Sequence, residues 1–298
     1  PIHWDHLLKQ GDYSLAIISG YRNVGLYLPL IRKHSPSTKI ALDTVDVHFL
    51  REQRKASLYG SDHLHETATQ IKEMELNMCK QADALIAVTE EDAAVLRNAL
   101  GVEKPVFVIP NIHPVEKSPA RFQDRKGLLF VGNFVHPPNP DAMYYFCGQI
   151  LPMILKELPD LYLYIVGGNS LPLLQSLRTD KVSITGYVPS TRPFLDHCGL
   201  SISPLRYGAG MKGKIGEALA RGLPVVSTTI GAEGFQFKNG TQALIADSPT
   251  DFARPVIQAY SNETLWNQLS TNGLQLIEDR FSPDALFPAV KSLLDWNQ

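Results

Sequence analysis

Short apolar runs alternate with longer amphipathic stretches along most of the 298 residues. Strand character falls at Tyr13–Ser19, Lys39–Asp43, Ala84–Val88 and Val106–Ile109. It returns at Leu128–Val131, Tyr162–Val166, Val182–Thr185, Leu200–Pro204, Val225–Thr228 and Ala243–Ile245. Runs this short and apolar suit strands buried on both faces, and the helix-length spacers supply the crossovers that parallel pairing needs. The pattern predicts an α/β fold with parallel sheets. The first series has only about four strands, where a doubly wound domain often has about six, so the chain is expected to begin inside a larger amino-terminal domain.

Helical spacing fills the gaps. Ile71, Met74, Met78 and Ala82 recur every three or four residues and leave Lys72, Glu73 and Lys80 for water. Thr89 followed by Asp92 offers an N-cap for a helix through Leu96. Asn139 before Pro140 starts a segment whose Met143, Phe146, Cys147 and Ile150 belong in a core. Ile215, Ala218 and Leu219 mark the buried face of a helix from about Lys212 to Arg221. Leu286, Val290, Leu293 and Leu294 predict a closing helix over Ser282–Trp296, with Trp296 as an anchor.

The stretch NIHPVEKSPARFQDRK, residues 111–126, mixes prolines with both charges and reads as a boundary. The expected organisation is a first domain over 1–115, a linker over 116–126, a second domain over 127–280 and a closing segment over 281–298. Composition narrows the class. With 44% hydrophobic and 19% charged residues the chain is not disordered, and 28 basic against 30 acidic residues give no field for nucleic acid. Cys79, Cys147 and Cys198 are scattered, without disulfide framework or CxxC metal site, as a reducing compartment allows. No apolar run approaches the ~18 residues of a spanning helix, and Pro1 opens no signal-peptide pattern. A cytoplasmic protein is expected, with peripheral contact at the cytoplasmic face of a membrane left open.

The chemistry concentrates in SPLRYGAGMKGKIGEALARGLPVV. Gly208, Gly210 and Gly213 fit GxGxxG, while Gly208, Gly213 and Lys214 fit GxxxxGK(S/T) except at its last position. That position is Ile215, which has no oxygen for magnesium, so a nucleotide triphosphatase loop is disfavoured. A dinucleotide fold needs an acid at the end of the next strand, and Val225–Thr228 ends without one. The remaining reading is a nucleoside-diphosphate clamp. Backbone N–H groups and a helix N-terminus meet an anion, Lys212 and Lys214 add mobile positive charge, and Glu217 accepts from ribose hydroxyls. A glycine turn entering a salt-linked surface helix is the plain alternative.

The segment PLRYGAGMKGKIGEALARGLPVVSTTIGAEG resembles the nucleotide-sugar-binding part of retaining glycosyltransferases of family GT4, which have the GT-B fold. LLFVGNFVHPPNPDAMYYF, LYLYIVGG and SITGYVP precede it in that family's order, and DTVDVHFLRE and CKQADALIAVTEED are weaker matches in the first part. The resemblance implies two Rossmann-like domains with parallel sheets facing across a cleft, the acceptor on the first, the donor on the second, and a carboxy-terminal helix returning toward the first. It implies donor contacts from Gly132, Asn133, Arg206, Gly208, Gly210, Met211, Lys212, Gly213, Lys214, Glu217 and Glu233, and no metal or cofactor. Glu217 matches the second glutamate of the family's E-x7-E pair and would hold the donor ribose, while Ala209 stands where the first would be. Asn133 stands where relatives place a basic residue, which shifts phosphate binding toward Arg206, Lys212 and Lys214. His48 matches a histidine placed near the reacting sugar carbon, Asp46 would orient it or receive an acceptor hydroxyl, and Lys212 would stabilise the leaving phosphate.

The reaction so implied transfers a sugar, with retained configuration, from a nucleotide-diphosphate sugar to a hydroxyl of a carbohydrate or glycoconjugate. A sugar-nucleotide epimerase of the same fold and a non-enzymatic nucleotide-sugar-binding module are the alternatives. Nucleotide base, sugar, acceptor and oligomeric state are not encoded legibly.

Overall fold

The computed structural model describes Leu8, residues 11–101 and residues 103–296; the outer ends of the expected first and last segments lie outside the described residues. The chain divides into two compact units. One takes the chain up to Asn111, Ala209–Met211 and the residues from Leu286 onward; the other takes Ile112–Gly208 and Lys212–Ala285.

In the first unit β1 (Leu15–Ser19), α1 (Tyr21–His34), β2 (Lys39–Asp43), α2 (His48–Tyr59), α3 (Asp62–Gln81), β3 (Ala84–Ala87), α4 (Glu90–Leu100) and β4 (Val106–Val108) follow one another. Among the described residues its four strands pair in parallel in the order β1-β2-β3-β4. One sheet face buries Ile40, Leu42 and Leu85 against Val24, Phe49, Cys79 and Leu96. The Thr89 hydroxyl accepts from Asp92 N at 2.9 Å and starts α4, which runs past the expected Leu96 to Leu100. The stripe expected on α3 holds at Ile71, Met78 and Ala82, which pack on this core, but Met74 is exposed, and Ala68, Glu75 and Cys79 also turn inward. Glu75 can be buried because its carboxylate receives backbone N–H groups of α2, a partner invisible to hydrophobic spacing.

The second unit runs β5 (Leu128–Val131), α5 (Pro138–Tyr145), a π-helical turn (Phe146–Ile150), α6 (Leu151–Glu157), β6 (Leu163–Val166), α7 (Ser170–Leu174), β7 (Val182–Gly186), α8 (Arg192–His197), β8 (Leu200–Ser203), α9 (Gly213–Ala220), β9 (Val225–Ser227), β10 (Leu244–Ile245), α10 (Pro249–Ser261) and α11 (Glu263–Arg280). Its parallel sheet has the order β10-β9-β8-β5-β6-β7. The chain builds outward from β5 through β6 and β7, then returns to the other side of β5 with β8. Parallel sheets open a crevice at the carboxyl ends of strands flanking such a reversal, here β5 and β8. Phe130, Met143, Phe146, Ile165, Ile202 and Phe252 fill the core.

Two local readings change. The helix expected to start at Asn139 starts at Pro138, with Pro137 as N-cap, so Asn139 is a buried helical residue and not a cap. The helix expected over 212–221 spans Gly213–Ala220. It stops because Gly222, at φ 71, donates to Leu219 O while Leu223 N donates to Ala218 O, the paired bonds of a Schellman end.

The chain closes with α12 (Pro283–Trp296), whose Leu293 packs with Ala41, Ala84 and Ile86 on the other face of the first sheet. Trp296 meets Phe107 edge-on at 5.8 Å, and Lys39 Nζ stands 4.7 Å from its ring. Leu294, expected inside, is exposed.

Candidate functional site

At the end of β5, Gly132 N donates to Val166 O at 2.9 Å. A Cβ on Gly167 would stand 1.9 Å from the Gly132 carbonyl oxygen, so the two backbones approach as only glycine permits. Asn133 is tied into this turn by its oxygens, which accept, the carbonyl from Asn139 Nδ2 at 2.8 Å and Oδ1 from Val135 N at 3.2 Å.

After β8 the chain enters the glycine turn and α9. Arg206, expected on a phosphate, is closed in a two-point pair with Asp141, Nε to Oδ2 at 2.9 Å, and lies over the Tyr145 ring. That corrects the expectation, because a carboxylate already satisfies the planar face of the guanidinium. Lys212 and Lys214 are not mobile either. Lys212, the N-cap residue of α9, is buried with its Nζ 3.2 Å from Glu233 Oε2. Lys214 Nζ donates to Asn139 Oδ1 at 2.6 Å and stands 3.9 Å from the centre of the Phe130 ring. Part of Lys214 reaches solvent, but its ammonium is enclosed between Asn139 and Phe130. Burial, and then the charge of Lys212, push its pKa down to about 7.

Glu217 does not turn to these lysines. Its Oε1 accepts from the Thr191 hydroxyl, and it lines a cavity of about 270 Å³ with His113, Thr191, Arg192 and Arg221. The His113 ring lies on α9 at Gly216, where an added Cβ would come within 2.1 Å of Nε2. Burial lowers the His113 pKa, and Nε2 has no hydrogen-bond partner. The structure thus brings Gly132, Asn133, Lys212, Gly213, Lys214 and Glu233 to one end of the second sheet. Gly208 belongs to that unit, but Gly210 and Met211 cluster with the first, where Met211 O accepts from Asn111 Nδ2 at 3.3 Å.

In the first unit, His48 opens α2. Its Nδ1 lies 3.0 Å from Asp46 Oδ1 and 3.3 Å from Glu75 Oε1. Glu75 also accepts from His48 N at 3.1 Å and Phe49 N at 2.8 Å, satisfying the exposed end of α2 with a negative charge. Burial opposes the imidazolium, but the hydrogen bonds to Asp46 and Glu75 prevail and raise the pKa to about 9. Asp46 is fixed in turn by Arg51 Nη1 at 2.5 Å. Just before it, Val45 sits at φ 65, a conformation a β-branched residue adopts only under constraint.

Residues 125–262 match the family of glycosyl transferases group 1. The matched segment contains Gly132, Asn133, the turn from Arg206 to Glu217, and Glu233; Asp46 and His48 lie outside it. Among relatives, an uncharacterized 44.6 kDa protein of the cps region of Klebsiella pneumoniae is 26% identical over 70% of this chain and 55% of its own. The lipopolysaccharide core biosynthesis glycosyltransferase LpsE of Rhizobium meliloti is 26% identical over 65% of this chain and 54% of its own. The chain therefore spans little more than half the length of either. Among solved structures, an S. aureus TarM mutant in complex with fondaparinux, alpha-GlcNAc-glycerol and UDP superposes with TM-score 0.77 at 18% identity, over 98% of this chain and 58% of that one. Anabaena HepE in complex with UDP-glucose gives 0.73 at 13% identity, over 98% and 82%. The fold is GT-B.

Sequence reasoning missed the residues that brace these side chains: Asn139, Asp141, Thr191 and His113 in the second unit and Glu75 in the first. Asn139 and Asp141 stood in HPPNPDA, where they read only as a helix start. Nothing local marks Glu75 or His113.

Proposed function

We propose that the second unit binds a nucleotide-diphosphate sugar at the carboxyl ends of β5 and β8, and that the protein is a retaining glycosyltransferase of the GT4 type acting on a carbohydrate or glycoconjugate hydroxyl. The observation that carries the proposal is the pair of enclosed lysines at the start of α9. Lys212 and Lys214 repel each other in a dry setting, where Glu233 bonds Lys212 and only a neutral amide, that of Asn139, bonds Lys214. A bound diphosphate supplies the missing negative charge, and the N–H groups at the head of α9 add to it. UDP and UDP-glucose in the HepE and TarM complexes favour the same ligand class.

In the proposed reaction the bond from the anomeric carbon to the diphosphate oxygen breaks while the acceptor oxygen bonds to that carbon on the same face. The acceptor proton passes to the leaving phosphate. Lys212 and Lys214 then stabilise the charge that grows on the diphosphate, and one such contact is worth about 3 kcal/mol in the transition state. His48, protonated at neutral pH, acts as a hydrogen-bond donor and not as a base, with Asp46 and Glu75 fixing its ring. Glu217 takes the ribose. Arg206 supports the wall through Asp141 and leaves the phosphate to the lysines.

Calorimetric titration with UDP and UDP-glucose, followed by NMR of the product with added acceptors, tests this. Binding lost in Lys214→Met and a product of retained configuration are expected. Wild-type protein that binds none of the common nucleotide sugars refutes the site, and binding without turnover identifies a binding module.

A further inference from the structure

At the carboxy-terminal end of α9 the second unit holds a cavity of about 580 Å³, within the size range of small-ligand sites. Lys117, Arg121, Arg125 and Arg221 line it against one carboxylate, Glu263, with Trp266 as an apolar wall. None of the proposed donor contacts lines it. Two of the guanidiniums are buried, at 5% exposure each. Arg125 is bonded to carbonyls, those of Leu195 at 2.7 Å and Cys198 at 3.1 Å through Nη1 and that of Ala120 at 3.3 Å through Nε, and lies 5.2 Å from the Trp266 ring. Burial pulls its pKa below the ordinary guanidinium range. Arg221 holds Asp196 Oδ1 through Nη2 at 2.5 Å and Nε at 3.2 Å and meets the exposed Glu116 through Nη1 at 3.4 Å, so it is already paired and adds charge to the wall without a free fork. Glu263 already accepts from Gln123 Nε2 at 2.6 Å. Lys117 and Arg121 stand exposed at the rim.

Positive charge set in a concave, poorly solvated wall focuses the field and draws in anions. Guanidinium forks match phosphate oxygens, and an indole face beside them suits a compact carbon framework. We propose that this cavity is a second ligand site, which takes the phosphate monoester of a small sugar between Lys117 and Arg121 at its rim, with the sugar toward Trp266. The proposal does not depend on the donor reading.

The test is calorimetric titration of the protein with glucose 6-phosphate and with inorganic phosphate, beside co-sedimentation with phosphatidic acid vesicles, whose headgroup is also a phosphate monoester. Three proteins are compared: wild type, Lys117→Ala/Arg121→Ala, and Lys212→Met. The doubly substituted residues are exposed, so the fold should survive, and a melting curve checks it. Glucose 6-phosphate should bind the wild type more tightly than inorganic phosphate, lose about tenfold or more in affinity in the double variant, and bind Lys212→Met unchanged. No binding to the wild type, or binding indifferent to the double substitution, overturns the proposal. Loss of binding in Lys212→Met instead places the anion at the glycine turn and also overturns it. Vesicle binding that depends on Lys117 and Arg121, without binding of glucose 6-phosphate, replaces the sugar with a lipid and overturns that part.

Discussion

Lys214→Met separates stability from binding, because the charge that serves a diphosphate is a burden without one. The methionine keeps the length of the stem and removes the ammonium. The gap between the ordinary lysine value of 10.5 and about 7 corresponds to about 5 kcal/mol, at about 1.4 kcal/mol per pH unit. Below pH 7 both folded and unfolded chains carry the proton, and the folded state bears the whole cost. Between pH 7 and 10.5 the unfolded chain holds the proton and the folded one does not, so this residue makes stability rise with pH across that window. Substitution also strips Asn139 Oδ1 of its donor, a loss of about 2 kcal/mol. The net expectation for Lys214→Met is a gain of about 3 kcal/mol at pH 6, shrinking and then reversing toward pH 10.5. Urea denaturation at pH 6, 8 and 10 reads it. The same variant should lose about 100-fold in UDP affinity, and wild-type protein should take up close to one proton on binding UDP at pH 8, seen as a dependence of the heat on the buffer's ionisation enthalpy. A stability difference that is flat across pH, or UDP binding without proton uptake, refutes the reasoning.

His48 should titrate near pH 9 by NMR of its ring protons, and Asp46→Asn should bring it down toward 6.5. Its contribution to stability is fully present below pH 6.5 and lost as pH rises through 9; a wild-type midpoint near 6.5 would count against the cluster. Gly216→Ala forces a methyl into the His113 ring and should cost about 2 kcal/mol. Adding His113→Ala should return part of that loss, and strict additivity in the double-mutant cycle would mean that the two residues do not touch. Arg206→Ala leaves the buried Asp141 without its counterion and should cost about 3 kcal/mol, eased by adding Asp141→Asn, while UDP affinity of the folded protein stays the same. A large loss of UDP affinity with unchanged stability would return Arg206 to the phosphate.

The sequence was most informative where structure is local. Every expected strand segment contains a strand, shifted by a residue or two, because a run such as LLFV or LSIS can hide only between two layers. Thr89 and Asp92 announced the start of α4, and the glycine after ARG ended α9, because caps depend on residues three or four apart. The turn from Arg206 to Glu217 stood out for its glycines and lysines, which is why the proposed phosphate site was sought there. Spacing could not reveal how those side chains are engaged. Lys214 finds Asn139 across 75 positions, Arg206 finds Asp141 across 65, and His48 meets Glu75 across 27.

Hydrophobic pattern, turn chemistry and charge type are short-range properties, so the chain by itself determined two parallel α/β units and the glycine turn that leads into α9. Only the tertiary structure decided that β8 returns beside β5 and that Arg206 is already neutralised. It also decided that Lys214 is enclosed enough to lose its proton near pH 7 and that His48 is held charged. Those outcomes depend on which groups meet within a few ångströms and on how much water is left between them, and both are set only once distant segments have packed.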